Sequence, residues 1–169
     1  LPITLDVRKA AARGVTVSGV LRLSELTRLR AALASDRGHI EAKIDFARDE
    51  ENRFVAEVKV DAEVEVLCQR CLESMPITLA TDNRLAIVGD DDKAKQLPSH
   101  LEPWVVEEDQ GELWLLVEDE IMLDLPIVSY HESKECKEIL KGYNTPAPVS
   151  EEVRENPFNV LEQLKPGNK

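Results

Sequence analysis

Three cysteines and one of the three histidines are the residues whose types and spacing could do chemistry. In Cys68-Gln69-Arg70-Cys71 two residues separate two thiols, which lets both sulfurs turn toward one point, as in the knuckles of many structural zinc sites. A tetrahedral site needs two more ligands. The remaining cysteine, Cys136, closes the stretch Tyr130-His131-Glu132-Ser133-Lys134-Glu135-Cys136, five residues after His131. Cys68, Cys71, His131 and Cys136 therefore form a candidate Cys3His set for a structural Zn2+. Two other readings stay open. A Cys-x-x-Cys pair also serves thiol-redox and redox-sensing proteins, although it then normally opens a helix after a strand, whereas the flanks here alternate like antiparallel strands. The plainest alternative is three unrelated reduced thiols.

Little else in the chain points to catalysis. It has no glycine-rich phosphate loop, no nucleophile elbow and no His-Glu-x-x-His pattern. Glu118, Asp119 and Glu120 are consecutive and so face different directions, which prevents a shared acid/base pair. A closed four-ligand zinc site leaves no position for a substrate. A non-enzymatic interaction protein with no small-molecule substrate is expected.

The elements that must hold the thiols read as an antiparallel sheet. Ile40, Ala42, Ile44 and Phe46 alternate with polar residues, a polar turn covers 48–53, and Phe54 to Val66 places an apolar residue at every second position. One face in core and one in water is the mark of an antiparallel sheet. The even-numbered residues from Phe54 to Val66 should face inward, with a bulge or bend near Asp61–Glu63 because the strand is long. Ile77, Leu79, Leu85 and Ile87 give the return strand, so the Cys-x-x-Cys pair falls at a hairpin end.

Upstream, residues 2–9 alternate weakly, and Val15 to Leu23 form a clearer strand. Ser24 reads as the N-cap of a helix through about Ser35, with Leu26, Leu29 and Leu33 as its buried stripe. Downstream come an acidic loop from Gly89 to Pro98 with room for one helical turn, and a short strand at Pro103–Val106. A second main helix follows over Glu112–Leu125, apolar around most of its circumference and so covered on more than one side, although the periodicity alone also allows a strand at Leu113–Val117. Pro126 ends it and directs the chain toward His131 and Cys136. The fold class expected is α+β, a curved antiparallel sheet of five or more strands with two main helices packed on it.

A chain of 169 residues fits one domain with a tail, assigned to 1–136, then a linker over 137–155 and a short docking helix and tail over 156–169. Residues 137–155 lose all periodicity and carry Pro146 and Pro148. Asn156 as N-cap, Pro157 at N1, and Phe158, Leu161 and Leu164 at three-residue spacing mark a helix too short to stand alone. It must dock on its own domain or on another molecule.

The formal charge of −12 is uneven: residues 1–48 carry +4 and the remainder −16. Such a chain is not an obvious binder of naked nucleic acid, whose affinity comes mainly from neutralised phosphates. If RNA is touched directly, Arg22, Arg28, Arg30 and Arg37 form the most basic neighbourhood available; the alternative is an ordinary solvated helix face. No apolar run approaches a membrane span, no signal-peptide pattern opens the chain, and an odd cysteine count argues for a reducing compartment, the cytoplasm.

Four stretches together resemble a known family. They are Cys68-Gln-Arg-Cys71, Val117-Glu-Asp-Glu-Ile-Met-Leu-Asp-Leu-Pro-Ile-Val128, His131 to Cys136, and Asn156-Pro-Phe-Asn-Val-Leu-Glu-Gln-Leu-Lys165. In order and content they are similar to the YceD family, the bacterial large ribosomal RNA subunit accumulation proteins, in its gammaproteobacterial form. The resemblance implies a non-catalytic cytoplasmic factor of ribosome biogenesis whose partner is ribosomal RNA, a ribosomal protein or an assembly factor. His131 stands where other members of the wider family carry a cysteine, an exchange that fits a metal ligand.

Overall fold

The computed structural model describes residues 1–139; the first three residues of the linker expected over 137–155 continue a helix over Lys134–Ile139, and the rest of it and the segment holding Phe158, Leu161 and Leu164 lie outside the described residues. The centre is a sheet of five strands: β2 (Thr16–Leu21), β3 (Gly38–Arg48), β4 (Phe54–Leu67), β5 (Ser74–Val88) and β6 (Glu102–Val105), in that spatial order. The pairs β2–β3, β3–β4 and β4–β5 are antiparallel, while β6 runs parallel to β5, so the sheet is mixed rather than wholly antiparallel.

Inward positions of β4 follow the period of two. Ala56, Val58, Val60, Ala62, Val64 and Val66 are all buried, and Phe54 is half-buried at the strand's start. They meet Ile40, Ala42, Ile44 and Phe46 of β3 in one continuous core. The expected bulge at Asp61–Glu63 is absent. Glu41, Asp61 and Ala80 stand in register, as do Ile40, Ala62 and Leu79, then His39, Glu63 and Thr78. Long partners on both sides of β4 keep every ladder position filled, so no residue has to be looped out.

The weak alternation at 2–9 covers two elements. Strand β1 (Thr4–Asp6) pairs with β7 (Gln110–Glu112) in a separate two-stranded sheet, and helix α1 (Val7–Arg13) follows at once. Asp6 caps α1 by accepting from the Lys9 amide at 2.9 Å, which also holds its carboxyl below the usual range. Gly14 ends the helix in the left-handed conformation at φ 65°, which glycine adopts without penalty. Gly111 of β7 serves differently: a Cβ there would come within 2.5 Å of Val7 and 2.8 Å of the Trp104 ring.

Ser24 does not cap a long helix. Leu23–Glu25 forms a single 3-10 turn, and helix α2 is short (Thr27–Ala32) with no capping side chain of its own. Leu26 and Leu29 are buried as expected, whereas Leu33, just past the helix end, is half-buried. After α3 (Asp91–Ala94), the second main helix α4 (Leu113–Asp124) matches expectation and packs on β4, β5 and α2. Leu113, Leu116, Val117 and Ile121 are buried; Leu115 and Leu123 are exposed, 43% and 79%.

The consecutive acids of α4 diverge only in part, since Glu118 and Asp119 both reach Arg28 of α2, while Glu120 turns away and accepts from the Asn83 side chain at 2.6 Å. Burial pushes the Glu120 carboxyl above the usual range, partly opposed by Asn83. A raised folded pKa means that ionising Glu120 costs stability at neutral pH, and that this cost disappears as pH falls below the ordinary carboxylate range. Glu120→Gln keeps an acceptor for Asn83 and should raise the melting temperature by a few degrees at pH 7, a gain that vanishes near pH 3. Melting curves across that range check it, and a gain independent of pH would exclude the titration of Glu120 as its cause.

Candidate metal centre

Strands β4 and β5 hold Cys68 and Cys71 in the short loop that joins them, Cys68 to Glu73. Two backbone bonds close it, the Cys68 amide donating to Glu73 O at 2.9 Å and the Leu72 amide to Cys68 O at 2.8 Å. Leu72 takes the left-handed conformation at φ 60°, unusual for a branched residue and the point where the chain reverses. The second half comes from the segment after α4. It is tied to the loop by the Gln69 amide donating to Ser129 O at 2.9 Å and the Gln69 side chain donating to Ile127 O. Cys136 sits in α5 (Lys134–Ile139), whose first turn is capped by Ser133 Oγ accepting from the Cys136 amide.

These two halves bring together all four residues marked out by the sequence. The Sγ atoms of Cys68, Cys71 and Cys136 and a ring nitrogen of His131 lie within 4.8 Å of one another. Cys68 Sγ is 3.6 Å from Cys136 Sγ, and Cys71 Sγ is 3.2 Å from His131 Nδ1. Bonds of about 2.3 Å to sulfur and 2.0–2.1 Å to nitrogen around a tetrahedral ion imply ligand separations of about 3.6–3.8 Å. The Cys68–Cys136 separation matches that range, the Cys71–His131 separation is tighter, and all four atoms are close enough to share one ion, while 3.6 Å between sulfurs is too wide for a disulfide, whose sulfurs sit at about 2.05 Å. All three cysteines are free. Softness and donor set, three thiols and an imidazole, suit zinc better than a hard cation.

Cys68 and Cys136 are buried and Cys71 and His131 half-buried, so the site is largely closed. Burial pushes the Cys68 thiol up, but the amides of Cys71, His131 and Arg70 aimed at its sulfur outweigh that and hold it at about 5. At Cys71 the Glu73 amide pulls downward, yet burial and the neighbouring sulfurs push the thiol up. Arg70 lies 3.7 Å from Cys136 Sγ and stacks 4.6 Å from the centre of the Tyr130 ring, closing the outer side. The Cys68–Cys71 pair stands between antiparallel strands rather than at the start of a helix, where redox pairs of this spacing commonly sit.

The arginines are placed differently. Arg28 pairs with Glu118 at 3.0 Å and Asp119 at 2.7 Å, Arg30 with Asp36 at 2.7 Å, and Arg37 with Glu65 at 3.1 Å. Arg22 is exposed and has no ion pair among the described residues. Glu65 also accepts from the Ser35 and Ser74 hydroxyls, which with Arg37 hold its carboxyl below the usual range. Phe158, Leu161 and Leu164 lie outside the described residues. The sequence reading missed the role of Glu118, whose buried carboxylate organises α2 from another helix; it is one of four acids on α4, and nothing in the pattern set it apart from Asp119, Glu120 and Asp124.

With that geometry in view, the chain was compared with known proteins. The model of a family described as large ribosomal RNA subunit accumulation protein YceD matches residues 56–165, a span that contains all four ligand residues. The large ribosomal RNA subunit accumulation protein YceD of Haemophilus influenzae is 33% identical over 169 residues, 98% of this chain and 96% of its own length. No solved structure matches significantly.

Proposed function

This chain belongs to the YceD family of large ribosomal RNA subunit accumulation proteins, and from that membership we propose that it is a non-catalytic factor of ribosome biogenesis. It supports the synthesis, processing or accumulation of large-subunit ribosomal RNA in the cytoplasm. Its direct partner is ribosomal RNA, a ribosomal protein or an assembly factor. Membrane insertion by a helix is not part of this reading, since no helix among the described residues is long and apolar enough to cross. Cys68, Cys71, His131 and Cys136 hold a structural Zn2+ that fastens the segment after α4 to the β4–β5 hairpin. The observation that carries the reading is the family match across Cys68, Cys71, His131 and Cys136, whose candidate ligand atoms lie within 4.8 Å of one another. A strain lacking the protein should accumulate less large-subunit than small-subunit ribosomal RNA, and the wild-type chain should restore the ratio. An unchanged ratio would overturn the reading.

Partner contact is assigned to two elements, the basic neighbourhood of Arg22, Arg28, Arg30 and Arg37 and the segment carrying Phe158, Leu161 and Leu164. A contribution from the arginines weakens steeply with salt, and one from the apolar segment persists. Because three of the arginines already serve internal carboxylates, Arg22 is the one best placed for phosphate. Phe158→Ala should abolish recovery of the partner in a pull-down while leaving the melting temperature unchanged. A drop of several degrees with the partner still recovered would instead make that segment part of the fold. Ribonuclease treatment before the pull-down separates RNA from protein partners.

A further inference from the structure

Two adjoining hollows of about 410 and 500 Å³ run between β6 and α4 and share Trp104, Leu116 and Asp119. Trp104 and Leu116 give the shared floor its apolar part, with Asp119 beside them, extended by Leu85 and Met122 on one side and by Leu115 on the other. The exposed Leu123 stands at the far end. Beside this floor Leu115 and Leu123 leave apolar surface open to water. Gly111 lets the Trp104 ring pack directly on β7, because any side chain there would collide with it, and so helps to fix the ring in the floor.

The rim is mainly acidic, with Arg8 and Arg28 from elsewhere in the chain pairing, among the described residues, only with Asp109 and with Glu118 and Asp119. From Glu102 to Asp124 the chain carries nine acidic residues and no Lys or Arg. Many surface carboxylates elsewhere have partners, but Glu102, Glu107, Glu108 and Glu112 make no ion pair or side-chain hydrogen bond among the described residues. All four line the two hollows and are exposed. Unpaired like charges around an apolar floor repel one another, and a ligand that brings cations relieves that repulsion while covering the floor. A phosphate backbone is repelled by the same rim, so this face is unsuited to RNA.

We propose that the groove between β6 and α4 binds a basic polypeptide segment of a partner protein, with two or three aliphatic or aromatic side chains on the Trp104–Leu116 floor and Lys or Arg against Glu102, Glu107, Glu108 and Glu112. This deepens the ribosome-biogenesis reading by naming the partner's chemistry. A protein that neutralises ribosomal RNA phosphates carries such segments, and an acidic groove can hold one away from RNA until it is delivered. Apolar contact supplies persistence and charge supplies rate and selectivity.

Trp104 is the built-in reporter. The full chain is titrated with a synthetic twelve-residue peptide of six lysines flanking a Leu-x-x-Phe core, followed by tryptophan emission and calorimetry. Three comparison probes are the same peptide with glutamates for lysines, the peptide with Ser for Leu and Phe, and a twelve-nucleotide single-stranded RNA. Saturable binding of the first probe alone is expected, weakened at least tenfold by the Glu102→Lys/Glu108→Lys double variant. Leu123→Ser, at a position too exposed to affect folding, should weaken it several-fold. No binding, equal binding of the Ser-substituted peptide, indifference to both variants, or competition by RNA would each overturn the proposal. The double variant is also expressed in the deletion strain. Full restoration of large-subunit ribosomal RNA by it would sink the groove's role and leave the family function standing. An unchanged RNA ratio in the deletion strain removes that function while the titration still decides whether the groove binds.

Discussion

Cys136→Ser is expected to lower zinc content from one ion per chain to below a tenth of that, and to lower the melting temperature by roughly 5–10 °C. The unfolded chain holds no preformed site, so whatever affinity the four ligands have for metal adds to the stability of the fold. The effect should be local. Cys68 and Cys71 are held by a hairpin whose strands have their own core, whereas the segment from Pro126 to Ile139 is tied to the rest chiefly through Gln69, Arg70 and the sulfurs. Hydrogen exchange after chelation should therefore accelerate in 68–73 and 126–139 and leave β3 and β4 unchanged. The same segment should become the first site of proteolysis. A metal-free protein as purified, with a melting temperature indifferent to chelator, would leave the cysteines as three reduced thiols that happen to meet.

The Cys68, Cys71, His131 and Cys136 cluster was legible because it needs only residue types and a spacing of two, and because the pattern on either side of the Cys-x-x-Cys pair is so regular. Alternation from Phe54 to Val66 sets which face of β4 is buried, and a hairpin with the cysteines at its tip follows from the return strand. What the pattern left out was decided elsewhere in space. The parallel pairing of β6 depends on where the chain goes after Pro98, which no periodicity records. A short helix such as α1 has only one apolar turn, and its signals were a cap at Asp6 and a glycine at position 14 rather than a period. The bulge was inferred from length alone, but a strand's length is limited by its neighbours, and both neighbours of β4 are long. Arg28 looked like a solvated side chain because its acidic partners lie 90 and 91 residues away.

That last pair leads to the second large effect. Glu118 is buried at 6% exposure, and Oε1 accepts from the Arg28 amide at 2.8 Å and the Leu29 amide at 3.0 Å. These are first-turn amides of α2, the groups a capping residue would normally satisfy, and α2 has none of its own. Oε2 meets the Arg28 guanidinium at 3.0 Å. Glu118 thus caps one helix from another and fixes Leu29, which is fully buried, against the core. Glu118→Ala strands two amides away from water and should cost about 2–3 kcal/mol, or roughly 5–10 °C. Arg28→Ala leaves both amide bonds intact, and its guanidinium is half in solvent, so its effect should be much smaller. Glu118→Gln, which keeps an acceptor but loses the charge, should fall between them. Thermal melts of the three variants give that order if capping dominates. Equal losses from Glu118→Ala and Arg28→Ala would show instead that the ion pair, and not the cap, holds α2 in place.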